Sequence, residues 1–75
     1  MLHASDMKRI AVKSRSVSAI GYDPATFELE VEFHSGRRYR YQRVPVAAYR
    51  MLLQAASIGA FLNEQIKPRF AAKEL

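Results

Sequence analysis

The sequence predicts an α+β domain, a three-stranded antiparallel β-meander followed by two short α-helices packed on one face of it. Two alternating runs and one change of period carry that prediction. Phe27-Glu28-Leu29-Glu30-Val31-Glu32-Phe33 and Arg38-Tyr39-Arg40-Tyr41 alternate apolar or aromatic residues with charged ones, as half-buried strands do, and His34-Ser35-Gly36-Arg37 lies between them. After Val44-Pro45 the apolar residues switch to helical spacing.

Taken in order, residues 1–15 are mixed basic and small with no clean periodicity, and they are expected to form a partly flexible basic arm ending in a short extended segment. The folded domain is expected over residues 16–70. Ser16 to Tyr22 is its first strand, and Asp23-Pro24-Ala25-Thr26 the first turn, because proline presets the second turn position and aspartate favours the first. A four-residue loop there pairs Tyr22 with Phe27, Ile20 with Leu29 and Ser18 with Val31. Ile20 and Tyr22 then lie on the apolar face.

The second hairpin is decided by its faces. A two-residue loop at Ser35-Gly36 sets Phe33 opposite Arg38 and reverses every side chain. A three-residue loop, His34-Ser35-Gly36, pairs Val31 with Tyr39 and Leu29 with Tyr41, and puts Gly36 at the left-handed position of a type I turn with a G1 bulge. On the other face Glu32 meets Arg38 and Glu30 meets Arg40. Both faces are then chemically consistent.

Val44-Pro45 closes the third strand, and proline suits the first turn of a helix. Val46, Tyr49, Leu52, Leu53 and Ala56 form the core stripe of that helix, with Arg50 and Gln54 opposite. Ser57-Ile58-Gly59 breaks the run, and Ser57 is a natural N-cap for a second helix carrying Phe61, Leu62 and Ile66. Pro68 should end it by pushing Lys67 out of helical dihedrals. Phe70 is expected to pack back, and residues 71–75 to fray.

Size and charge narrow the function classes. A chain of 75 residues is one domain with a modest core, since about 60% of the unfolded surface is buried at this size. The absence of cysteine removes disulfide and zinc-thiolate staples and fits a reducing compartment. Met1 to Ile10 is interrupted by His3, Asp6, Lys8 and Arg9, so it does not read as a signal peptide. No apolar run approaches the roughly 18 residues of a membrane span, and a cytoplasmic protein is expected. The net charge of +5 divides into +3 over residues 1–15, zero over residues 16–66 and +2 over residues 67–75. Attraction for an anionic polymer therefore comes from the flanks.

Interleaved tyrosine and arginine at residues 38–41 suggest a stacking surface for nucleic acid. The register instead turns Tyr39 and Tyr41 into the core, while Glu28, Glu30 and Glu32 form a solvated ladder with cross-strand arginines that keep them ionised. His3 and His34 are far apart in sequence with no companion ligand, so no metal site is expected. Ser57 lacks a nucleophile elbow and a histidine-carboxylate pair, and is read as a cap. Asn63 is read as locally capped or exposed. No catalytic residue and no cofactor are assigned. The basic residues outside the ladder, Lys8, Arg9, Lys13, Arg15, Arg37, Arg43, Arg50, Lys67 and Arg69, are the candidate RNA contacts.

The combination of Ser18-Ala19-Ile20-Gly21-Tyr22-Asp23, the Leu29–Phe33 strand, Gly36, Tyr39-Arg40-Tyr41, Val44-Pro45, Tyr49, Ala56-Ser57-Ile58-Gly59, Phe61-Leu62-Asn63 and Ile66 resembles the KTSC domain family. That family is named for its place at the C-terminus of some lysyl-tRNA synthetases and also occurs as small free-standing bacterial proteins. The likeness spans about residues 12–70. Tyr39, Tyr41, Pro45, Tyr49, Ser57, Gly59 and Asn63 match the family's motif, for which the residue-level reading is structural. Leu62 stands where an aromatic residue is common, a packing change. The resemblance by itself implies little about function, RNA binding being the role suggested for the family. The expected function is thus a non-enzymatic module that weakly binds RNA, such as structured tRNA-like RNA, through flanking Lys and Arg. The alternative is a protein-interaction or homodimerisation module using an edge strand or the helical face.

Overall fold

The computed structural model describes residues 9–75. Five antiparallel strands follow one another across a single sheet: β1 (Arg9–Ala11), β2 (Val17–Asp23), β3 (Glu28–Phe33), β4 (Arg38–Tyr41) and β5 (Ala72–Glu74). Between β4 and β5 run α1 (Val46–Gln54) and α2 (Ile58–Phe61), the latter continuing as a π-helical stretch over Leu62–Ile66. The α+β class, the antiparallel sheet and the two helices are as predicted, but the sheet has five strands rather than three. The additional two come from the segments read as arm and tail. At three residues each, they are too short to carry a period and are held by the ladders of β2 and β4.

The β3–β4 hairpin has the predicted register, with Leu29 opposite Tyr41 and Val31 opposite Tyr39. The Gly36 amide donates to the Phe33 carbonyl, and Gly36 has φ of 95°, so the left-handed position falls on the residue that tolerates it. The β2–β3 register is two residues away from the predicted one. Tyr22 faces Leu29 and Ile20 faces Val31. A shift of two preserves the faces, so Ile20 still points inward. Phe27 leaves the strand, adopting φ of 61° and remaining 50% exposed. Three hydrogen bonds hold it there: Ala25 N–H to the Asp23 carboxylate, Phe27 N–H to the Asp23 carbonyl, and Val44 N–H to the Phe27 carbonyl. A bulge at Ser18 turns both Val17 and Ile20 into the core.

The core joins Val17, Ile20, Leu29, Val31, Tyr41 and Val44 of the sheet side to Leu52, Ile58, Leu62 and Ile66 of the helices. Tyr41 is 2% exposed, and Tyr39 is half-buried beside it, so the pair faces inward as the register required. Tyr49 stacks on Tyr22 at 4.4 Å, and the Tyr22 hydroxyl donates to the Val44 carbonyl. Val46 and Ala56 are exposed despite lying on the predicted stripe, because α1 stops at Gln54 and only its central turns meet the sheet. Ser57 caps α2, accepting the Ala60 amide, and Phe70 packs against the core. Lys67 keeps helical dihedrals before Pro68, contrary to expectation. Bonds from the Lys67 amide to Leu62, and from Arg69 and Phe70 to Ile66, outweigh the pre-proline bias. No helix among the described residues is long and apolar enough to cross a membrane.

The sheet face away from the helices carries one row through all five strands: Arg9, Gly21, Glu30, Arg40 and Lys73. Gly21 presents no side chain, so the Arg9 guanidinium reaches across β2 to Glu30 at 2.7 Å, while Arg40 meets the other carboxylate oxygen at 2.6 Å. The ladder is therefore not wholly solvated, since Glu30 is only 3% exposed. Glu32 contacts Arg9 at 3.5 Å rather than bridging to Arg38. Burial alone would raise the Glu30 pKa, but hydrogen bonds and charge from Arg9 and Arg40 outweigh it and hold the carboxyl below its ordinary value.

Candidate functional site

The nine basic candidates fall into distinct groups. Lys8 lies outside the described residues. Arg9 is engaged by Glu30 and Glu32, and so is a poor phosphate ligand. Arg43 adjoins Phe27 and Pro45 in a small hollow at one end of the sheet, with φ of 58°. Arg50 and Arg69 are exposed, on α1 and after the π-helical stretch. Lys13, Arg15, Arg37 and Lys67 line two adjoining clefts at the opposite end.

The first cleft, about 540 Å³, runs between the β1–β2 loop and the start of α2. Lys13, Ser14, Arg15 and Ser16 form one wall, and Ser57, Gly59 and Asn63 the other. The second, about 380 Å³, is walled by Phe33, Tyr39, Arg37 and Lys67. Arg15 and Ser16 line both, so the two form one trough. Among the described residues, no aspartate or glutamate lines either part. Asn63 belongs to the π-helical stretch, an irregularity frequent at functional sites.

Local bonds hold the loop wall in place. Ser14 Oγ accepts the amides of Ser16 and Val17, the His34 ring bonds the Ser14 carbonyl at 2.9 Å, and the His34 amide donates to the Ser16 carbonyl. A Cβ built on Gly59 would lie 2.7 Å from Ser16 Oγ, so glycine is what lets α2 meet this loop. Gly59→Ala should displace the loop and lower the melting temperature by a few degrees, about 1 kcal/mol of overpacking. Adding Ser16→Gly should recover most of that loss in a thermal melt. If it does not, close approach is not the reason for glycine.

Ser14, Ser16, Phe33 and His34 were not among the sequence candidates. The one signal available was Gly59 itself, an unfavourable residue near a helix start that implies a close neighbour. Among the motif residues, Tyr41 is core, Tyr49 stacks on Tyr22, Pro45 precedes α1 and Ser57 is a cap. Tyr39, Ser57, Gly59 and Asn63 border the trough.

Comparison with known proteins agrees with this architecture. The KTSC domain family model matches residues 13–70. An uncharacterised protein of Stutzerimonas stutzeri is 48% identical over 63 residues, covering 84% of this chain and 89% of that protein. A lysine–tRNA ligase of Nostoc is 36% identical over 59 residues, 79% of this chain but only 10% of the ligase. The crystal structure of a KTSC domain protein from Yersinia pestis superposes with a TM-score of 0.86 at 36% identity, covering 92% of this chain and 97% of that one.

Proposed function

The chain belongs to the KTSC domain family, and we propose that this member is a non-enzymatic module that binds RNA along the trough lined by Lys13, Arg15, Arg37 and Lys67. The observation that carries the reading is the convergence of four cations from three separate segments on a trough that no acidic residue lines among the described residues. Such a surface attracts phosphates without reading sequence. The similarity to part of a lysine–tRNA ligase supports RNA, and a tRNA-like one, as the anion. Homodimerisation through a sheet edge is the weaker reading, because the outer strands β1 and β5 offer three residues each.

Amide-shift titration with mixed RNA at low salt tests the proposal. Shifts are expected at residues 13–16, 33–37, 57–63 and 67. Four phosphate contacts to a flexible strand give a log–log salt slope of about −3, and Arg15→Ala should make it shallower by roughly one. An unchanged spectrum at low salt, or shifts centred on Arg43 and Arg50, would reject the assignment.

A further inference from the structure

We infer that the RNA taken up here is single-stranded, with phosphates held by Lys13 and Arg15 and an unpaired base laid against the Phe33–Tyr39 ring pair, an assignment that rests on the RNA-binding reading above. The two parts of the trough differ in chemistry. In the first, Ser14 Oγ accepts the Val17 amide and Ser57 Oγ accepts the Ala60 amide, which leaves both hydroxyl protons to donate. With Asn63 and the two cations, these donors suit phosphate and sugar oxygens.

The second part is built on rings. Phe33 ends β3 half-buried, and the Lys67 ammonium stands 6.0 Å from its centroid. One ring face is therefore turned toward an exposed cation and not into the core. Tyr39 meets Phe33 edge-on, at 5.8 Å and 83°, and so fixes the ring's orientation. Lys67 rides on a flexible stem and is free to exchange the ring for a phosphate. His34 and Ser35 add polar groups at the rim.

A duplex keeps its base faces inside its own stack and presents backbone and groove edges, for which the rings do nothing. An unpaired base has a free face and gains from stacking in any sequence context. Arg15 and Ser16 wall both parts, so phosphate and base sites are close enough for neighbouring groups of one strand.

Fluorescence anisotropy with a labelled oligouridylate of about ten nucleotides, an RNA duplex of equal length and inorganic polyphosphate as competitor tests the assignment. The single strand should bind roughly fivefold to 100-fold tighter than the duplex. Phe33→Leu should remove that advantage and leave duplex binding and polyphosphate competition unchanged. In the unmodified protein, oligouridylate should move the ring protons of Phe33 and Tyr39 upfield, a readout independent of how the variant folds. Equal binding of strand and duplex with unmoved ring protons would overturn the stacking assignment while leaving charge-driven RNA binding intact. Failure of both RNAs to bind would overturn both.

Discussion

Replacing Tyr41 by alanine is expected to destabilise the domain by about 3–5 kcal/mol. Among the described residues Tyr41 is the largest fully buried side chain, placed opposite Leu29 within the core cluster. A domain of this size has a total stability of only about 4–11 kcal/mol, so much of the cooperative transition should be lost. Tyr41→Phe keeps the ring and nearly the same volume, and should cost less than about 1.5 kcal/mol, as volume-conserving core swaps do. Burial raises the Tyr41 pKa above its ordinary 10.0. The unfolded chain ionises first as pH rises past that value, so alkali should weaken the fold. Thermal melts followed by circular dichroism check the pair of variants. An alanine variant that melts like the parent but loses RNA affinity would make Tyr41 a contact residue instead of a core one.

Glu30→Gln is expected to cost about 2 kcal/mol. The carboxylate is buried between two guanidiniums that remain partly exposed, so its loss leaves both arginines short of an anion without burying them fully. The same group gives the fold an acid limit. Its pKa in the folded chain lies below the ordinary 4.5, so the stability it contributes is present above that value and is lost as pH falls through the folded pKa. Urea melts at neutral pH and at about pH 3 should show the parent losing stability on acidification and Glu30→Gln losing less. Equal acid sensitivity in the two proteins would mean the limit lies in other carboxylates. Arg9→Ala should reproduce part of the neutral-pH loss, because Arg9 ties β1 to the sheet through that carboxylate.

Much of this architecture was legible because local rules coincide. Alternation in β3 and β4, a glycine at the left-handed turn position and opposite charges across the ladder all demanded one register, and that register is observed. The β2–β3 turn was not legible. Phe27 continues the alternating pattern, yet long-range contact with Val44 and the Asp23 turn hold it in the left-handed region, where a pattern of side chains gives no warning. The site was legible as a set of charges and not as a place. Lys13 and Arg15 were grouped with Arg9, Arg43 and Arg50 by sequence, and only the packing of the β1–β2 loop on Gly59 separates them.

By itself, then, the sequence determined the α+β class, the inward tyrosines, the tight second hairpin and the Ser57 cap. Each depends on residues within a few positions of one another or on a period of two or 3.6. Tertiary structure alone decided the two outer strands, the Arg9–Glu30–Arg40 row across Gly21, and the joining of loop, hairpin tip and helix end into one trough. Those features arise where segments far apart in the chain meet. A three-residue strand or a shared carboxylate is stable only once its distant neighbours are in place, so no local signal announces it.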